Sequence, residues 1–138
     1  MRKVLFILSL FYFAGLIQCA QKCVEATGKL YCRRNPAALT TAEVRLYDRD
    51  GRGLLQVFDP DDLMGLVGIY SLPADDGTFK IHGCGDDADW VPSVPNLPDP
   101  YVQIRHSCKS PQGDILELHK GIKFFPEKTE LGIIDLDY

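Results

Sequence analysis

The sequence predicts an all-β protein, a sandwich of about seven strands, and three observations carry that reading. Short stretches alternate apolar and polar side chains with a period of two; no window beyond the N-terminus keeps the 3.6-residue apolar repeat of a helix; and nine prolines punctuate the 138 residues at intervals that no long helix tolerates. Hydrophobic residues at 46% and charged residues at 25% are ordinary for a globular chain, and they exclude collagen-like, wholly disordered and multi-span membrane classes. A formal charge of −4 argues against nucleic acid as a partner, because phosphate binding needs a concentrated basic face.

The N-terminus stands apart from this pattern. Arg2 and Lys3 precede an apolar run from Val4 to Ile17 that only Ser9 and Gly15 interrupt. Such a run gives roughly 21 Å of helix, short of the roughly 30 Å hydrocarbon core, so residues 1–20 read as a secretory signal peptide and not as a transmembrane anchor. Cleavage near Cys19–Ala20 leaves a domain over residues 21–138. The cut removes two of the 15 basic residues and none of the 19 acidic ones, so the formal charge moves from −4 to −6. It also takes Cys19 and leaves four of the five cysteines: Cys23, Cys32, Cys84 and Cys108. An even count in a small exported domain predicts two disulfides, with three pairings open. No Cys-x-x-Cys spacing occurs, which argues against a zinc knuckle or a thioredoxin-type pair.

Along this domain, Val24, Ala26, Gly28, Leu30 and Cys32 share one parity, with Glu25, Thr27, Lys29 and Tyr31 on the other, until Asn35-Pro36 breaks the first strand. Val44 and Leu46 alternate with Glu43, Arg45 and Tyr47 before the Asp48-Arg49-Asp50-Gly51 turn. Phe79 and Ile81 alternate with Thr78, Lys80 and His82 after an Asp75-Asp76-Gly77 turn, and Tyr101 to His106 turns Val102 and Ile104 inward. Ile122 and Phe124 alternate with Lys123 and Phe125, while Leu131 to Leu136, apolar on both parities until Asp135, suits a central strand covered on both faces. Leu54–Phe58 and Leu66–Leu72 are candidate edge strands. The Asp- and Pro-rich stretch from Gly85 to Pro100 predicts a loop crossing between sheets, with Trp90 over one end of the sandwich.

Several segments occur in one order and spacing: Thr27-Gly28-Lys29-Leu30-Tyr31-Cys32, Ala42 to Asp48, Asp59-Pro60-Asp61-Asp62-Leu63-Met64, Asp76-Gly77-Thr78-Phe79, Asp99 to Cys108, and Leu131-Gly132-Ile133-Ile134-Asp135-Leu136. Together they resemble the nematode transthyretin-like family. The resemblance implies a secreted, disulfide-stapled, transthyretin-like (prealbumin-like) sandwich of two antiparallel sheets. Strands in transthyretin order would place Cys23 beside Cys84 and bring Cys32 to Cys108 at the opposite pole, so the resemblance implies the pairs Cys23–Cys84 and Cys32–Cys108. Three features depart from the family: the extra pair Cys23 and Cys84, a long turn region from Asp62 to Asp75, and an end directly after the last strand.

The same resemblance raises one enzyme, since transthyretin is related to a hydrolase of 5-hydroxyisourate that uses histidines, an arginine and a C-terminal Tyr-Arg-Gly-Ser. Here the chain ends Asp135-Leu136-Asp137-Tyr138 and the first strand holds no histidine, so no catalytic residue carries over and no enzyme is expected. His106, on the parity of Val102 and Ile104, is expected to be half-buried and bonded to a loop carbonyl; His82 and His119 lack companions at ligand spacing and are expected on the surface. No cofactor or resident metal is implied. Asp59, Asp61 and Asp62 are the candidate calcium ligands among the loop aspartates, although no EF-hand spacing surrounds them.

The expected function is a secreted, extracellular, non-catalytic binding module. Its partner would be a protein receptor, or a lipid or small apolar ligand, met by loops and a sheet face. The alternative is a transthyretin-style homo-oligomeric carrier of a small hydrophobic ligand, with Phe125 and Tyr138 offering interface surface; a monomer is favoured. Arg33-Arg34 is a local basic patch.

Overall fold

A computed structural model describes residues 21–50, 60–68, 76–86, 97–119 and 121–138. Residues 1–20, the Leu54–Phe58 stretch, Asp59 and Trp90 lie outside the described residues. Seven strands are described: β1 (Lys22–Tyr31), β2 (Glu43–Asp48), β3 (Asp62–Gly68), β4 (Thr78–Gly85), β5 (Pro100–His106), β6 (Asp114–Leu118) and β7 (Thr129–Asp135). A single 3-10 turn, Pro36–Thr41, follows β1; Pro36 opens it, and Ala38 and Leu39 pack inward.

The strands form two sheets, of order β4-β1-β7 and β3-β2-β5-β6. The alternation that predicts β1, β2, β4 and β5 also sets their orientation. Val24, Ala26, Leu30, Val44, Leu46, Phe79, Ile81, Val102 and Ile104 are buried between the sheets, while their polar neighbours face out. All pairs are antiparallel except β1–β7, which is parallel, so the expected all-antiparallel sandwich has one exception.

The sandwich is closed along the β3–β4 side by glycine. A Cβ on Gly83 would fall 2.5 Å from the Met64 carbonyl oxygen, and one on Gly65 would fall 2.6 Å from that of His82. Only hydrogen at these two positions lets a strand of one sheet lie this close to a strand of the other. Among the described residues the opposite side, between β6 and β7, carries no such contact, and a groove there is lined by His106, Lys109, Asp114, Ile115, Leu116 and Leu136 among others.

Four expectations are corrected. Leu131–Leu136 is no central strand: β7 lies at the end of its sheet and Ile133 is 76% exposed. A bulge between Thr27 and Lys29 in the β1–β7 register, with Gly132 at a φ of +67°, shifts parity inside the strand. Thr129 and Ile134 can then both point inward, which made the strand look apolar on both faces. The stretch Ile122–Phe125 reduces to one bridge, Phe124 to Val24, with the Phe125 N–H donating to the Cys23 carbonyl at 2.8 Å. The edge strand placed at Leu66–Leu72 begins earlier, at Asp62, and carries its own bulge between Leu46 and Tyr47 of the β2 register. Finally, β6 was not anticipated, because Ile115 on its outward face breaks the alternation that Leu116 and Leu118 would otherwise show.

Candidate functional site

The outer face of the four-stranded sheet is built by the outward parity of β2, β5 and β6. Register sets three rows: Glu43 opposite Arg105 and then Ile115; Arg45 opposite Gln103 and then Glu117; and Tyr47 opposite Tyr101, with His119 just beyond the end of β6. Opposite-sign or polar partners across strands stabilise a sheet surface by a few tenths of a kcal/mol to about 1 kcal/mol per pair. Here they are joined into one network.

Tyr101 is its centre, 5% exposed. Its ring stacks on Tyr47 with centroids 5.5 Å apart and meets the His119 ring at 4.7 Å, while the Arg49 guanidinium lies 5.3 Å from its centroid. Its hydroxyl donates to the Asp61 carboxylate at 2.7 Å. Burial first, and that hydrogen bond second, raise the phenol above its ordinary value, so it stays a donor. Arg49 lies 2.8 Å from His119 Nδ1, and His119 Nε2 lies 3.0 Å from Glu117, which also accepts from Gln103 at 3.1 Å. Arg45 donates to Glu43 at 2.7 Å and to the Tyr47 hydroxyl at 3.3 Å. Exposed Leu63 and Leu66 on β3 and exposed Ile115 on β6 flank the network with apolar surface.

Of the candidate calcium ligands, Asp59 lies outside the described residues, and Asp61 is engaged by Tyr101 on the outer face. Asp62 opens β3 and turns toward the pole, where Asp48, Met64, Cys84 and Asp86 surround a small hollow. Asp48 in the same hollow is buried and accepts the Asp99 N–H at 2.7 Å, tying the end of β2 to the chain entering β5.

His106 is more buried than expected, at 6% exposure, and its Nδ1 accepts the Cys108 N–H at 3.4 Å. Burial lowers its pKa from the ordinary value. His119 is a member of the outer-face network, and His82, although exposed, has two sulfur neighbours that spacing did not show. Cys23 is bonded to Cys84, directly opposite in the β1–β4 register, and Cys32 to Cys108. Arg33 donates to Asp135 at 3.1 Å, and the backbone N–H groups of Arg33 and Arg34 both meet Asp137, so this basic patch is partly neutralised. Phe124 packs against the core, Phe125 is exposed, and Tyr138 is 98% exposed.

Sequence reasoning did not single out Tyr47, Arg49, Tyr101 or Glu117. The available signal was the run of aromatic and charged residues on the solvent parity of strands that also have a strong core parity, where simple solvation would call for lysine, glutamate or threonine.

The fold is that of a two-sheet, seven-stranded β-sandwich with two disulfides. The transthyretin-like family model matches residues 27–118, well over half of the 138, and the chain belongs to that family. No curated protein matches the chain significantly. Among solved structures, a 9R-lipoxygenase from Cyanothece PCC8801 is similar over 95% of this chain and 20% of that one, with 16% identity and a TM-score of 0.49. The chain thus spans about a fifth of that structure, and the likeness carries no functional argument here.

Proposed function

We propose that this protein is a secreted, non-catalytic binding module that engages an extracellular protein partner through the outer face of its four-stranded sheet. One observation carries the reading: the Tyr47–Tyr101–His119–Arg49 network is pre-organised by internal hydrogen bonds and flanked by exposed Leu63, Leu66 and Ile115. Tyrosine and arginine dominate binding energy at protein interfaces because they bring large contact area with few rotatable bonds, and a face already ordered loses little entropy on docking. Two disulfides in a domain of this size fit an oxidising compartment. The experiment is a cross-linking capture from extracellular fluid with the oxidised protein and two variants. Tyr47→Ala with Arg105→Ala on this face should lose at least tenfold of the captured partner, whereas Lys29→Ala with Ile133→Ser on the other sheet should retain it. Equal capture by both variants overturns the reading.

The second reading is a homo-oligomeric carrier of a small hydrophobic ligand. It is favoured by the groove between β6 and β7, lined in part by Ile115, Leu116 and Leu136, and by the exposed side chains of Phe125 and Ile133. Sedimentation at micromolar concentration separates the two, since a monomer removes any channel formed between subunits.

A further inference from the structure

The outer face of the three-stranded sheet holds a group of side chains that the binding face does not use. Cys23 and Cys84 face each other across β1 and β4, and His82 precedes Cys84 by two residues on the same face. Both sulfurs and one imidazole nitrogen lie within 4.8 Å of one another. We infer that reduction of the Cys23–Cys84 disulfide opens a zinc-binding site made of these two thiolates and the His82 imidazole.

Thiolate and imidazole are the donors zinc takes, and tetrahedral bonds of about 2.3 Å to sulfur and about 2.0 Å to nitrogen place the donors roughly 3.5 to 4 Å apart. Small rotations about the Cα–Cβ bonds reach that spacing, because the β1–β4 register from Lys22–Gly85 to Lys29–Thr78 already holds both backbones. Reduction does not release that ladder. Three protein donors leave a fourth position for water or an external ligand. Glu25, directly opposite His82, is the adjacent carboxylate, but Lys80 at 2.9 Å and Lys128 at 2.8 Å hold it.

Selectivity comes from burial. Cys23 and Cys84 are half-exposed, whereas Cys32 and Cys108 are 1% and 5% exposed in the core. A thiolate must reach sulfur in line to exchange, so a soluble dithiol meets Cys23–Cys84 first. The dithiol passes two electrons and two protons to the two cysteines and leaves as its own cyclic disulfide. Zinc then displaces the two thiol protons and accepts a lone pair from the His82 imidazole. Cys23 lies outside the matched family region of residues 27–118, so nothing in that match supplies this pair.

The test reduces the oxidised full chain with graded dithiothreitol, alkylates the free thiols and maps them by mass. Cys23 and Cys84 should be labelled while Cys32–Cys108 remains bonded. After removal of the dithiol, the partly reduced protein is titrated anaerobically with Zn2+ and with Co2+. One metal per chain is expected, with sulfur-to-cobalt charge transfer and the intense visible bands of a tetrahedral site, and the oxidised protein should bind none at the same concentrations. His82→Ala, a surface change compatible with folding, should weaken zinc at least tenfold, and Cys23→Ser should abolish the charge-transfer band. Reduction of Cys32–Cys108 first, absence of stoichiometric metal, or an unchanged affinity in His82→Ala overturns the inference. Where Cys23→Ser fails to fold, the His82→Ala titration decides.

Discussion

The two disulfides close loops of similar length, with sequence separations of 76 for Cys32–Cys108 and 61 for Cys23–Cys84. Chain entropy alone would therefore credit each with about 4 kcal/mol. Their surroundings differ. Cys32–Cys108 joins the end of β1 to the segment after β5, binds one sheet to the other, and fills core volume beside Leu30 and Ile104. Cys23–Cys84 joins two strands already paired in register and lies on an outer surface. The same bond is thus a structural staple where it joins one sheet to the other, and a removable link where a hydrogen-bonded ladder does the holding.

The largest expected effect breaks the staple. Cys32→Ala with Cys108→Ala should cost about 4 to 6 kcal/mol in urea unfolding, the chain-entropy term plus a core cavity. The paired change Cys23→Ala with Cys84→Ala should cost less, about 3 to 4 kcal/mol, since it leaves no cavity between the sheets. An equal or greater loss at Cys23–Cys84 would erase the contrast. A smaller effect sharpens it: Gly83→Ala drives a Cβ against the Met64 carbonyl next to Cys84 and should cost about 1 to 3 kcal/mol, read as a lower urea midpoint. Little change there would mean that β3 can move away from β4, and that the ladder around Cys84 is less constrained than its register implies.

The smallest effect is a pH dependence beside the staple. Burial holds the His106 pKa below the ordinary value, so the unfolded chain takes up a proton near pH 6.5 while the folded chain still resists it. Below that pH the unfolded state binds more protons, and stability falls as pH drops from the unfolded pKa to the folded one; above it the contribution is complete. Protonation also removes the acceptor at Nδ1 that meets the Cys108 N–H. Thermal unfolding of the oxidised protein between pH 7.5 and 5, compared with His106→Gln, should show a decline that the variant flattens; a wild-type profile that rises toward acid would refute it.

The strands most legible in the sequence were those whose two parities differ in chemistry. In β1, β2, β4 and β5 most inward residues are aliphatic or aromatic and most outward ones polar, because each strand faces the core once and solvent once. Where a bulge shifts parity, as at Gly132, or an outward position carries Ile115, the pattern misled. The candidate face was less legible still. Tyr47, Tyr101 and His119 are separated by long stretches of chain, and only strand pairing makes them neighbours. His82 likewise had no visible companion until register put Cys23 opposite Cys84.

By itself the sequence determined the class of the fold, the placement of its main strands and the resemblance that implied its pairing, because these depend on local alternation, turn chemistry and ordered motifs. The tertiary structure alone decided which sheet each strand entered, which side of the sandwich closed, and which polar residues met on a common face. Those are consequences of register and of contacts between residues far apart in the chain, and one residue of bulge is enough to change them.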